Sequence, residues 1–167
     1  MKTLNDELMR LMVRELEGFQ REIGLFPDDE TAWRTVPGIT NSAANLAMHV
    51  AGGLQHFVGT LLGKTGYSRN RALEFSRRLG SRAEIIAELD RAITSVREVM
   101  PRLSEADLSG EIGPPVIDAP VGVRIFLIHL CAHAAMHLGQ AGYLRRALTQ
   151  DSTSSGPLPF EPLVSLR

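Results

Sequence analysis

Three histidines, His129, His133 and His137, follow one another at intervals of four residues in the C-terminal third of a 167-residue chain. Residues four apart on an α-helix have Cβ atoms about 5–6 Å apart. Two imidazoles at that separation can bind one metal ion at Zn–N distances of about 2.0–2.1 Å. The spacing therefore predicts coordination of a divalent metal, and it leaves open whether the pair is His129 with His133 or His133 with His137.

A third ligand must come from another segment, which carries the other two of the five histidines, His49 and His56. On a helix these two share nearly the same face but lie roughly 10 Å apart along the axis, so one ion cannot take both. Asn45 adds a polar group to the stripe of His49, and Gln140 adds one to the stripe of His137. Unpaired polar groups on apolar faces cost about 1–3 kcal/mol each, so we expect the two stripes to meet each other or a bound group.

Four helical segments must position these side chains, because apolar residues recur at intervals of three and four and nothing reads as a convincing strand. Thr3 and Ser81 are predicted N-caps, and Gly52 with Gly53 indicates a close helix contact or space for a ligand. Segment 24–38 is expected to be a loop and 104–108 a short turn. The pattern predicts an all-α helical bundle over 1–150 and a loosely held tail over 151–167. The first and third predicted helices span 4–23 and 81–100. The second starts at 41 or 42 and ends at 62, and the fourth starts within 118–121 and ends at 149.

Composition excludes several function classes. Lys and Arg number 18 against 19 Asp and Glu, and 5% of residues are aromatic, which argues against a nucleic-acid partner. The apolar stretch 116–148 holds too many polar groups for a membrane span, and the N-terminus lacks the apolar core of a secretory signal. A single cysteine, Cys131, excludes an intramolecular disulfide and fits a cytoplasmic protein.

Two stretches resemble a known family. Residues 41–52, Asn-Ser-Ala-Ala-Asn-Leu-Ala-Met-His-Val-Ala-Gly, resemble the second helix of the DinB-like (YfiT-like) metalloenzymes. Residues 129–140, His-Leu-Cys-Ala-His-Ala-Ala-Met-His-Leu-Gly-Gln, resemble that family's last core helix, and the ending His-x-Gly-Gln is the most specific part. Arg69-Asn70-Arg71 followed by Glu74-Phe75 is similar to a segment of one branch. The resemblance covers about residues 3–149.

The resemblance implies a four-helix bundle with down-up-up-down connectivity, often in a homodimer. It also implies a divalent metal held by His49, His133 and His137, with His129 as a neighbour. Three nitrogen ligands with an open position are typical of a catalytic site. Such a set suits zinc, nickel, iron or copper and does not select among them.

Relatives in the resembled family include transferases and isomerases that use a low-molecular-weight thiol. The resemblance therefore implies a small-molecule substrate and a metal-bound thiol as nucleophile. Activation of water for hydrolysis is one alternative. A non-catalytic helical dimerisation or binding module with a structural or vestigial histidine cluster is another. No carboxylate base is expected beside the three ligands, since Glu74 precedes the third helix and Glu111 lies in a loop.

Further side chains are candidates for the surroundings of the metal. His56 is the candidate catalytic residue, as a general base or substrate contact, and a core role is its alternative. Asn45 and Gln140 are expected to orient ligands or to close helix contacts. Trp33 is a candidate for the mouth of the site, although plugging the end of the core is more typical. Cys131 points about 160° away from His133 around the helix and is expected to be a small buried apolar residue.

Overall fold

The structure, a computed structural model, describes residues 3–113, 119–156 and 158–160, and it is mostly helical. Four long helical segments are α1 (Leu4–Gly24), α3 (Ala43–Leu54, continued by a π-helical segment, Gln55–Leu62), α5 (Arg82–Val99) and α7 (Val123–Thr149). Shorter elements are α2 (Asp29–Trp33), α4 (Arg71–Ser76), a 3₁₀ turn (Met100–Arg102), α6 (Glu105–Ser109) and the strands β1 (Glu111–Ile112) and β2 (Val121–Gly122). The all-α prediction is confirmed apart from this small antiparallel pair of strands.

Local side-chain chemistry begins the long helices where the sequence predicts. The Thr3 and Ser81 hydroxyls accept from the backbone N–H three residues on, and a carboxylate there accepts from the capping residue in return. Ser42 makes the same reciprocal pair with Asn45 at the start of α3. Each pair satisfies two backbone donors that a helix start leaves without partners. The predicted caps are therefore confirmed.

The structure differs from the prediction at short elements and at one boundary. α2 lies inside the predicted loop 24–38, and α4 lies between the second and third predicted helices, where no helix is expected. Asp28 caps the first and Asn70 the second, but helices of five or six residues are too short to show an apolar period. α7 begins at Val123 rather than within 118–121, and Asp118 lies outside the described residues.

The core lies between α1, α3, α5 and α7. The most extensive contacts join α1 to α5 and α7, and join α3 to the same two helices. Fully burying a Leu, Ile, Phe or Met side chain contributes about 1.5–3 kcal/mol, so this interior dominates the favourable free energy of folding. In the described part of the chain, no helix combines the length and apolar character that crossing a membrane requires. The largest buried apolar side chains include Met12, Leu16, Phe19, Ile23, Leu54, Ile85, Leu89 and Leu127.

The second long segment changes its winding at Gln55. From Gln55 to Leu62 the backbone follows a π-helix, and the Gly63 N–H accordingly donates to the Val58 carbonyl five residues back. π-helical turns within α-helices occur frequently at functional sites. His49 therefore lies on α-helical backbone and His56 on π-helical backbone, which the spacing argument for a single continuous helix does not anticipate.

A buried ion pair connects α1, α7 and the chain that follows α7. The fully buried Arg145 donates from Nε to Glu22 Oε1 at 2.5 Å, and its Nη2 donates to the Thr153 carbonyl. Gly18 of α1 makes room for Leu158, whose Cδ2 would lie 2.9 Å from a Cβ at that position. Of the tail predicted as loosely held, residues 157 and 161–167 lie outside the described residues, and the boundary at 150 stays a prediction.

We expect Arg145→Met to lower the free energy of unfolding by about 3–5 kcal/mol, because it leaves the Glu22 carboxylate buried without its partner. Urea unfolding followed by circular dichroism measures the change. Arg97→Met is the matched control, since it breaks an exposed ion pair with Glu17 and should cost no more than about 1 kcal/mol. Equal losses in the two variants would contradict the prediction.

Candidate metal centre

α3 and α7 bring three histidines together in the interior. His49 lies on α3 and His133 and His137 lie on α7, and one nitrogen from each falls within 4.8 Å of the other two. His133 Nε2 lies 3.3 Å from His49 Nε2 and 3.0 Å from His137 Nε2. The structure thus assembles the three residues that the resemblance implies, and it favours His133 with His137 over His129 with His133.

Hydrogen bonds at the far side of two rings turn their Nε2 atoms toward the centre. His49 Nδ1 lies 3.0 Å from Glu74 Oε2, and His137 Nδ1 lies 2.7 Å from Gln140 Oε1. A carboxylate or an amide oxygen only accepts, so each Nδ1 carries the hydrogen and each Nε2 presents a lone pair. Arg69 Nη2 is also 3.1 Å from His49 Nδ1, but it donates to Glu74 Oε2 at 2.8 Å.

The three converging nitrogens fit a metal ion. A neutral imidazole carries one N–H, so His133 Nε2 can donate to only one of its two neighbours, and the other contact brings two nitrogens together with no hydrogen bond between them. A cation between the nitrogens removes this conflict. Two nitrogens bound at 2.0–2.1 Å to a tetrahedral ion lie about 3.3–3.4 Å apart, close to the separations of 3.0 and 3.3 Å in the structure.

Burial favours the neutral form of His133 and of His137. It lowers the pKa of His133 to about 4, and the neighbouring His137 and His49 act in the same direction. Burial also lowers the pKa of His137, although its bond to Gln140 opposes the shift. A histidine must be neutral to bind a metal, so these two rings are ready to bind at pH 7.

Glu74 is the residue that the sequence argument missed. It is buried beside His49. Arg69 donates to its two carboxylate oxygens, from Nε at 2.7 Å and from Nη2 at 2.8 Å. Burial alone raises the pKa of Glu74, but the hydrogen bonds from His49 and Arg69 outweigh it and lower that pKa. The expectation from the sequence is that no carboxylate base lies beside the three histidines; the structure does place a carboxylate there, in contact with His49 and Arg69. A carboxylate behind a histidine fixes the ring orientation and raises its basicity as a ligand.

Two features of α3 hold Glu74 in place. The buried Asn45 donates from Nδ2 to the backbone carbonyls of Glu74 and Arg77, at 2.8 and 3.0 Å. Gly52 permits the close approach, because a Cβ there would lie 2.3 Å from Glu74 Oε1. Asn45 therefore closes a helix contact, as expected. For Gly52 the sequence left open a close helix contact or space for a ligand, and the structure shows a close contact with α4. The sequence signal that could have pointed to Glu74 is Arg69, a basic residue five positions earlier that can pair with a carboxylate.

A cavity of about 630 Å³ lies beside His49 and His133. His56 and His129 both line it. His56 is half-buried against the Phe57 ring, 4.9 Å away, and burial together with the charge of Arg69 lowers its pKa. His129 is exposed and its ring lies 5.6 Å from that of His133. The structure thus places the candidate catalytic residue, His56, and the predicted neighbour, His129, in the same cavity.

His137 faces a second cavity, of about 570 Å³. Gln140 and the exposed Tyr143 line it. The segment before α3 also contributes to its lining, through Val36, Gly38, Ile39, Thr40 and Asn41. The three candidate ligands are therefore reached from two sides, since His49 and His133 line the first cavity and His137 lines the second.

Trp33 and Cys131 lie away from these cavities. Trp33 is buried, donates from Nε1 to the Gly80 carbonyl at 2.7 Å, and is not among the residues of either cavity described above. Its position fits the core plug rather than the mouth of the site. Burial, with a contribution from Glu15, raises the pKa of Cys131 to about 12. The thiol is therefore protonated at neutral pH, as expected of an apolar packing residue.

The comparisons with known proteins agree with this fold. The family model of the DinB superfamily matches residues 11–141, and the chain belongs to this superfamily. The crystal structure of a conserved protein from Enterococcus faecalis is similar to this chain, with a TM-score of 0.69 at 18% identity. That similarity covers 90% of this chain and 100% of the other, and at this identity it concerns the fold alone. None of the curated proteins matches the chain.

We expect Glu74→Gln to weaken metal binding about 10- to 100-fold, the effect typical of removing the partner of a ligand histidine. Competition with a chromogenic chelator measures the affinity. Gly52→Ala should weaken it in the same direction, because the added methyl displaces the carboxylate. Glu98→Gln, an exposed change on α5, is the control and should leave affinity unaltered. Unchanged affinity in both Glu74→Gln and Gly52→Ala would refute the role of Glu74.

Proposed function

We propose that this protein is a metal-dependent enzyme in which His49, His133 and His137 hold one divalent ion and activate a low-molecular-weight thiol for transfer to a small molecule. One observation carries the proposal. Three Nε2 atoms converge while the Nδ1 atoms of His49 and His137 are occupied by Glu74 and Gln140. Zinc, nickel and iron all suit three imidazoles.

In the proposed mechanism, the ion, the partners of its ligands and the cavity wall have separate roles. A divalent ion with an open position lowers the pKa of a bound thiol and presents it as thiolate. Glu74 and Gln140 orient two ligand rings, and the cavity beside His49 admits the small molecule. His56, at the wall of that cavity and neutral at pH 7 through its lowered pKa, is placed to accept a proton from an incoming group.

The charges of the cavity support a thiol as the nucleophile. None of the cavity-lining residues in the described part of the chain is acidic, and Glu74 is already engaged by Arg69 and His49. A thiol has an unperturbed pKa of about 8.5 and needs little help to ionise. Water activation is the second candidate function, and the observation that favours it is His56, which could take the proton of a bound water.

The proposal extends to the connectivity of the helices and to the cellular location of the protein. We infer a four-helix bundle with down-up-up-down connectivity, supported by the contacts of α1 and α3 with both α5 and α7. We also infer a cytoplasmic protein that binds neither nucleic acid nor membrane, in keeping with its balanced charge and its free cysteine.

The protein purified without a histidine tag should contain about one divalent ion per chain, measured by mass spectrometry, and chelation should remove it. His133→Ala should lose the ion because it removes one of three ligands, whereas His129→Ala, one turn earlier on the same helix, should retain it. Metal-dependent consumption of glutathione or cysteine with monochlorobimane then tests thiol transfer.

Three results would count against this function. Metal content that neither chelation nor His133→Ala changes would refute the ligand set. Unfolding on chelation, followed by circular dichroism, would indicate a structural site. Metal-dependent hydrolysis of p-nitrophenyl acetate without any thiol would replace the transferase by the hydrolase.

We propose that two copies of the chain pair through the solvent-facing side of α7. Ile125, Ile128, Met136 and Tyr143 are exposed there by 60%, 44%, 51% and 76%, and such an apolar stripe along one helix is typical of an interface. Sedimentation equilibrium should give twice the 18.3 kDa chain mass. Ile125→Glu should give the monomer, while Leu79→Glu, at an exposed apolar residue elsewhere, should remain dimeric. A monomeric parent protein would refute the pairing.

A further inference from the structure

The cavity beside His49 and His133 has a cationic lining. Arg69 and Arg71 contribute the permanent positive charges, and His56 and His129 contribute polar rings. None of the residues that line it, within the described ranges, carries a negative charge. An occupant of such a cavity must tolerate or complement positive charge.

The two arginines differ in what already neutralises them. Arg69 forms a two-point contact with Glu74, so its charge is balanced inside the protein. Arg71 is exposed, and within the residues that the structure describes no carboxylate lies at ion-pair distance from it. Of the two arginines, Arg71 is therefore the one whose charge the described residues leave unbalanced, and its guanidinium can pair with one carboxylate.

Phe75 places that charge close to the metal centre. The Arg71 guanidinium stacks on the Phe75 ring at 5.1 Å, and the same ring lies 4.6 Å from the His49 ring. These two contacts put the Arg71 guanidinium within about 10 Å of the His49 ring. One small molecule can therefore span the distance from Arg71 to the three histidines.

The same cavity also has an apolar lining. The Phe57 and Phe126 rings meet edge to face at 4.8 Å, and Val50, Leu54 and Leu130 complete this surface. Burying apolar area there contributes about 25 cal/mol per Å². A ligand that fits both features combines an apolar body with a single anionic end.

We propose that this cavity binds a small molecule that has one carboxylate, held by Arg71, and an apolar body packed on Phe57 and Phe126. The inference rests on the proposed function, since it names the substrate class of the same site. The reacting end of the molecule then faces His49 and His133. Arg71 acts as a specificity-determining residue, whose guanidinium favours carboxylate geometry through paired N–H donors.

The test uses metal-loaded full-length protein and isothermal titration calorimetry with three probes: 4-phenylbutyrate, 4-phenylbutanamide and acetate. The acid should bind at least tenfold more tightly than its amide, since a hydrogen bond to a charged group contributes about 1.5–3 kcal/mol and 1.4 kcal/mol is tenfold. Acetate should bind far more weakly than 4-phenylbutyrate because it lacks the apolar body. Arg71→Met should abolish the advantage of acid over amide, and Arg71→Lys should retain part of it.

Arg97→Met, which removes an exposed arginine that is not among the cavity-lining residues, should leave all three affinities unchanged. Circular dichroism and thermal melting verify that each variant is folded. Equal binding of acid and amide, or an acid preference that persists in Arg71→Met, would overturn the proposal.

Repeating the titration after chelation separates this inference from the proposed function. A preference for the acid that survives metal removal and still depends on Arg71 supports the anion site even if no thiol chemistry is found. A preference that disappears with the metal means that the carboxylate binds the ion itself, and it overturns the assignment to Arg71. Metal content, measured on the same samples, tests the ligand set independently.

Discussion

The carboxylate of Glu74 is buried, and the arrangement around the candidate metal centre depends on how its charge is balanced. An ionised carboxylate removed from water costs several kcal/mol unless charged and hydrogen-bonding partners replace the solvent. Arg69 supplies the opposite charge and His49 supplies a donor, so one of the two groups that Glu74 needs for its own burial is also the ring that it orients. The same contact satisfies the carboxylate and turns His49 Nε2 toward α7.

This constraint explains why α3 has the sequence it has at three successive turns. Asn45 closes the start of the helix and holds the backbone of α4, His49 faces the centre, and Gly52 leaves the space that the carboxylate fills. The π-helical turn follows directly and presents His56 to the cavity wall. On the opposite side, a single regular helix, α7, contributes two candidate ligands and Gln140, the partner of His137.

Much of the fold follows from local rules and was therefore predictable. Thr3 and Ser81 satisfy backbone donors within one turn, so a sequence read locally identifies both helix starts. The histidine pair was not decidable locally, because His133 has a neighbour four residues away on each side. Only the position of α3 against α7 selects His137, and that position depends on packing over the whole core. The resemblance supplied the answer that the spacing could not.

Glu74 shows more clearly which contacts a local reading of the sequence cannot predict. Its contact with His49 joins residues 25 apart in sequence, through a helix of six residues that has no apolar period to reveal it. The second arginine of the same segment, Arg71, is part of the family-like stretch, but the sequence gives it no role for a similar reason. The nearness of Arg71 to the three histidines becomes visible only through Phe75, whose ring contacts both the Arg71 guanidinium and the His49 ring.

The contact between Gly52 and Glu74 also has an energetic consequence. A side chain at position 52, the carboxylate at 74 and the guanidinium at 69 occupy one space and share one charge balance. Free-energy changes from substitutions at residues in such contact do not add, whereas changes at distant sites usually do. The three positions therefore form a single thermodynamic unit, and an exchange at one of them alters the effect of an exchange at the other two.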